Sequence, residues 1–168
     1  MINIQALAEK QKQLDAFIEK RVQAVQEDFK MDSIDTMSKI VFAFHVELAE
    51  LANEIGFFKY WKLSHSMNRS RTLDEWADCL HFLLSYSNLR RYTPFLKDIE
   101  PFYLWEDYPL HELFYLLRDN DLSSSGYVRL AFSYLFGIGL KLGFSEEELI
   151  AAYEKKHEEN LKRMESGY

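Results

Sequence analysis

Apolar residues recur at intervals of three and four along most of the chain, and that period predicts helices rather than strands. From about Ile2 to Glu27, one broad stripe carries Ile4, Leu7, Leu14, Phe17, Ile18, Val22 and Val25, the mark of an amphipathic helix. Met31-Asp32-Ser33 supplies a break and a cap. A second helix is expected from near Ile34 to Ile55, with Met37, Val41, Phe44, Leu48, Leu51 and Ile55 facing inward. Gly56 stands where a helix commonly stops. The polar stretch 63–71 reads as a loop. Thr72-Leu73-Asp74-Glu75 then has capping-box spacing and should open a third helix reaching about Arg91.

Beyond it, residues 92–108 look irregular, with Pro94 and Pro101 inside and Pro109 just after. Pro109 suits the first turn of a helix over Leu110 to Arg118. Asn120 to Ser125 reads as a turn, and a further helix extends to about Leu142, ahead of Gly143. Ser145-Glu146-Glu147-Glu148 caps a last helix running to about Met164. No hairpin signal, repeat or low-complexity run interrupts the pattern. The expectation is an all-α helical bundle of about five to six helices, forming a single domain over 1–168.

Composition narrows the chemistry more than the fold. With 6 Gly and 3 Pro in 168 residues, a sandwich or barrel is disfavoured. A formal net charge of −7 argues against affinity for duplex nucleic acid or an anionic membrane. Phosphates could still bind if a divalent cation mediates. The single Cys79 excludes an intrachain disulfide framework and fits a reducing compartment. Without a signal peptide or an apolar run near the roughly 20 residues that span a bilayer, a cytoplasmic protein is expected.

The candidate chemistry lies in carboxylates. Glu47, Glu50 and Glu54 line one flank of the second helix, beside its apolar face. By itself such a row describes a solvated helix face with some ion pairs. The third helix, DEWADCLHFLLSYSNL, is apolar nearly all round, as a helix at the centre of a bundle should be. Glu75 and Asp78 share a stripe there with Cys79 and Phe82. Glu75 could serve only as the capping-box acid; Asp78 has no such role. A buried carboxylate needs a cation or a proton. Two carboxylate pairs at i, i+3 on facing helices make an oxygen cage suited to Mg²⁺, with Mn²⁺ as a substitute. The five histidines are scattered and show no zinc spacing.

Next to the acids stands FFKYWK, residues 57–62, an aromatic-basic knot. Aromatic faces beside Lys59 and Lys62 suit a nucleotide, which needs base stacking and phosphate neutralisation together. Near the C-terminus Lys156, Asn160 and Arg163 recur on one helical face, either as a fraying basic end or as a phosphate clamp.

Together these pieces resemble the dimeric all-α dUTPases, a branch of the all-α nucleoside triphosphate pyrophosphohydrolases. The resemblance rests on KQKQLD (10–15), ELAE (47–50), FFKYWK (57–62), EWADCLHF (75–82) and the tail Y-x-x-K-x-x-x-N-x-x-R-x-x-x-G-Y (153–168), in that order and spacing. It implies hydrolysis of dUTP to dUMP and pyrophosphate by a homodimer, with cleavage of dUDP to dUMP and phosphate left open. It also implies that Glu47, Glu50, Glu75 and Asp78 ligate Mg²⁺, with Glu47 or Glu50 activating the attacking water. Gln11 would read uracil, Trp61 with Lys59 and Lys62 would line the nucleoside and phosphate pocket, and His81 would lie near the deoxyribose. Lys156, Asn160, Arg163 and Tyr168 would close over phosphates. Asp15 stands where the family commonly has Asn, and an ionised Asp accepts hydrogen bonds but cannot donate them. Met164 stands where a Gln often follows the tail Arg. A pyrophosphohydrolase for another nucleotide and a non-catalytic helical partner protein remain as alternatives. Phage relatives that bind host repressors add a second role the sequence does not decide.

Overall fold

The computed structural model describes residues 1–64, 66–102 and 108–166. Six α-helices stand among the described residues: α1 Ile4–Gln23, α2 Ile34–Ile55, α3 Arg69–Leu89, α4 Leu110–Arg118, α5 Ser125–Lys141 and α6 Glu146–Glu165. The all-α bundle is therefore the observed architecture. Its axis is α3, which packs against α1, α2, α5 and α6, most extensively against α2. Trp76, Cys79, Leu80, Leu83 and Leu84 of α3 are fully buried in one apolar cluster shared by all six helices.

Local chemistry sets most helix ends. The Ser33 side chain accepts from the Thr36 amide to start α2, and Gly56 stops it in the left-handed region at φ 71°. Ser145 and Glu148 form a reciprocal capping box on α6. Two ends differ from expectation. α1 closes at Gln23, four residues before Glu27: the chain folds back, Gln26 N–H bonds Val22 O at 2.8 Å and Gln23 Nε2 donates to Phe29 O at 2.9 Å. Val25 is 88% exposed, so another helical turn would bury little. α3 starts at Arg69 rather than Thr72, because Asn68 accepts from the Arg71 amide and Thr72 Oγ1 donates back to Asn68 O at 2.8 Å. Glu75 is thus mid-helix and has no capping duty.

The segment expected to be irregular is partly built. Thr93–Phe95 forms a short 3₁₀ turn, and Ile99 pairs with Ile2 through two main-chain hydrogen bonds of 2.9 and 3.0 Å. Ser133 of α5 holds the next stretch: its hydroxyl donates to Glu100 O at 2.7 Å, and its carbonyl accepts from Phe102 N at 3.0 Å. Such close approach needs a glycine. A Cβ at Gly137 would lie 2.8 Å from Phe102 O, whereas one at Gly126 would meet nothing nearer than 3.7 Å. Gly137→Ala should therefore lose about 1–3 kcal/mol of stability through overpacking. Gly126→Ala should hold or gain by up to about 1 kcal/mol. Urea titration of the two variants distinguishes them, and equal midpoints would refute the close contact.

Candidate functional site

α2 and α3 face each other along their length, and their acids meet. Carboxylate oxygens of Glu47, Glu75 and Asp78 all lie within 4.8 Å of one another. Glu50, one turn after Glu47, sits on the exposed rim, close enough for its charge to raise the Glu75 carboxyl. Like charges at this spacing resist ionisation. Burial first, then the charges of Asp78, Glu50 and Glu75, push the Glu47 carboxyl up to about 7. Glu75 is also raised, by burial and then by Glu50 and Asp78.

One cation already stands there. Lys156 of α6 is only 6% exposed, and its Nζ lies 2.6 Å from Asp78 Oδ2 and 3.0 Å from Asp74 Oδ2. Burial pulls the Lys156 pKa down, but hydrogen bonds and charge from these two acids more than reverse it. Asp78 still sits above the usual carboxylate range, because its burial outweighs the Lys156 contact. One lysine thus leaves the group short of positive charge, and an all-carboxylate oxygen set of this size fits a hard divalent cation.

Beside the acids, α1 and α3 each contribute two polar side chains one turn apart to a buried network, and α6 contributes Tyr153 by hydrogen bond and His157 by ring contact. Gln11 Nε2 donates to Asp15 Oδ1 at 2.8 Å and to Ser85 Oγ at 2.9 Å, and Ser85 Oγ donates to Asp15 Oδ1 at 2.6 Å. Gln11 Oε1 meets His81 Nδ1 at 2.6 Å and accepts from the Tyr153 hydroxyl at 3.3 Å. The His81 ring lies 4.4 Å from that of Tyr153 and parallel to His157 at 6.1 Å. Gln11, Asp15 and His81, singled out from the sequence separately, are therefore one connected group.

The aromatic-basic knot is arranged differently. Phe57 tucks against Phe114 at 4.8 Å, while Tyr60 and Trp61 are 92% and 61% exposed. Lys59 Nζ donates to Asn53 O at 2.7 Å, serving the end of α2, and Lys62 is exposed. On α6, Asn160 is half-buried and Arg163 exposed, near enough to Asp78 to lower its carboxyl. Tyr168 lies outside the described residues.

Sequence reading missed Asp74, Ser85, Tyr153 and His157. The signal was available: 11/15, 81/85 and 153/157 are polar pairs at i, i+4 that interrupt otherwise apolar faces, and Asp74 stands one turn before Asp78. Cys79, buried at the same level, has its thiol pushed well up by burial and the neighbouring acids, which leaves it unreactive.

No curated protein matches the chain. A family model described as dUTPase, whose members generally use a divalent metal, matches residues 3–168. With that match spanning virtually the whole length of an all-helical fold, the chain belongs to the all-α dUTPase family, enzymes that hydrolyse dUTP.

Proposed function

We propose that this protein cleaves dUTP to dUMP and pyrophosphate in a Mg²⁺-dependent reaction, with Glu47, Glu50, Glu75 and Asp78 as the residues that hold the cation. The observation that carries this reading is the convergence of Glu47, Glu75 and Asp78 within 4.8 Å, with one lysine among them. When bound, a divalent ion there would offset charge on the triphosphate and on the departing pyrophosphate.

The chain's own residues do the rest. Glu47, beside the proposed cation, is suited to take the proton from the attacking water, with Glu50 at the rim as the other candidate base. Arg163, with Asn160 on the same face of α6, offers positive charge and hydrogen bonds to phosphate oxygens, while Lys156 stays with Asp74 and Asp78. The connected group of Gln11, Asp15 and His81 serves recognition of base and sugar, and Trp61 with Lys59 and Lys62 supplies an exposed stacking face. Exposed Ile34, Phe42 and Val46 on α2 support a homodimer, and the free thiol of Cys79 suits a cytoplasmic setting.

A panel of deoxynucleoside triphosphates tests the reading. With Mg²⁺, dUTP should be consumed with release of pyrophosphate and dTTP should be spared; excess EDTA should abolish the reaction. Equal cleavage of every substrate in the panel would favour a general pyrophosphohydrolase. Full activity in EDTA would remove the metal, and no Mg²⁺ binding at all would return the acids to a non-catalytic helical surface.

A further inference from the structure

The buried network of α1, α3 and α6 has a direction. Burial raises the Asp15 carboxyl to about 6 against the hydrogen bonds of Ser85 and Gln11, so above that pH Asp15 is ionised and only accepts, and the Gln11 atom 2.8 Å from its Oδ1 must be the amide nitrogen. The Gln11 oxygen is then turned to His81 Nδ1 at 2.6 Å. An amide oxygen also only accepts, so His81 Nδ1 must carry the proton. Burial, and then the charge of His157, push the His81 pKa down to about 3, which keeps the ring neutral. Nε2 is left as a bare lone pair. It is buried without a partner, as is Asp15 Oδ2. The main-chain carbonyl of Tyr153 favours a proton on this ring too. Since Nε2 has no hydrogen-bond partner, the 2.6 Å contact to Gln11 decides where the proton sits.

We propose that Asp15 is a positioning residue that fixes the Gln11 amide and, through it, the His81 tautomer, so that His81 Nε2 meets a ligand as a hydrogen-bond acceptor. The matching ligand group is a donor, a hydroxyl or a ring N–H, and a carbonyl is rejected. An amide in place of Asp15 removes the lock, because it can donate as well as accept. Gln11 is then free to reverse, turning its nitrogen to His81 and moving the proton to Nε2. The ligand half of the inference rests on the dUTP reading; the tautomer half does not.

The test is ¹⁵N NMR of the histidine rings in metal-free protein at pH 8, with His81 assigned by its loss in His81→Gln. Wild type should show a protonated Nδ1 and an unprotonated Nε2. Asp15→Asn should lose that single state for a mixture or the opposite tautomer, and Gln11→Met should do likewise with Asp15 still present. Ser85→Ala, which keeps the Asp15–Gln11 bond, should leave it unchanged. A protonated Nε2 in wild type, or an unmoved tautomer in both Asp15→Asn and Gln11→Met, overturns the proposal. Adding dUMP should shift the Nε2 signal, and 2′,3′-dideoxyuridine monophosphate shows whether the sugar hydroxyl is the donor. No response to either nucleotide, with the tautomer intact, would sink the ligand half and leave the lock standing.

Discussion

Glu47→Gln is expected to lower kcat for dUTP by about 10²–10⁴-fold while leaving the far-ultraviolet helical spectrum unchanged. Gln keeps the length and one acceptor oxygen of the side chain but can neither take a proton nor help hold a divalent ion by charge. The same change should make the metal-free protein melt higher, and the sign follows from the titration. Folding raises the Glu47 carboxyl from 4.5 to about 7, mainly through burial and the nearby charges of Asp78, Glu50 and Glu75. Between those values the folded chain binds more protons than the unfolded one, so stability falls as pH rises through the window. Above about 7 the penalty is fully present. Gln has no such titration, so its advantage should be clear at pH 8 and gone by pH 4. Mg²⁺ should reverse the order by stabilising the parent more than the variant. A variant that keeps its turnover, or that melts below the parent at pH 8 without metal, would mean that Glu47 is not in a crowded acid site.

That a side chain can weaken the fold and serve the reaction explains which parts of the molecule the sequence disclosed. Features set within a few residues were readable: the Ser33 and Ser145 caps, the Gly56 stop, and the i, i+3 spacing of the acids on α2 and α3. Features set across the chain were not. α1 ends early because Gln23 finds Phe29 O, and residues 99–102 take form only because Ile2 and Ser133 offer partners. Lys156 read as a tail residue free to meet phosphate, yet it is buried between Asp74 and Asp78, 82 positions from the former. Charge spacing shows where an acid stands on its own helix and says nothing of the cation another helix brings. The buried polar network shows the same limit, since Gln11, His81 and Tyr153 become one system only when three helices close.

Replacing Trp76 by Ala should have the largest effect on stability, about 3–5 kcal/mol. Trp76 is fully buried, its ring packs edge-on to Phe136 at 5.1 Å, and its Nε1 donates to Leu135 O at 2.8 Å. α5 is shaped to receive it, since a Cβ on Gly139 would lie 3.2 Å from that nitrogen. For a chain of this size each kcal/mol shifts Tm by about 2–4 °C, so melting should fall by roughly 6–20 °C. Two residues along an α-helix turn through about 200°, so Trp76 and Asp78 point to nearly opposite sides of α3. Anchoring Trp76 in α5 therefore turns Asp78 toward α2, where Glu47 waits. Trp76→Phe, which keeps an aromatic ring but not the N–H, should cost less, retain the acid geometry and bind Mg²⁺ nearly as parent; Trp76→Ala should bind it more weakly. A Trp76→Ala protein that melts within about 2 °C of the parent would show that α3 is oriented by something other than this anchor.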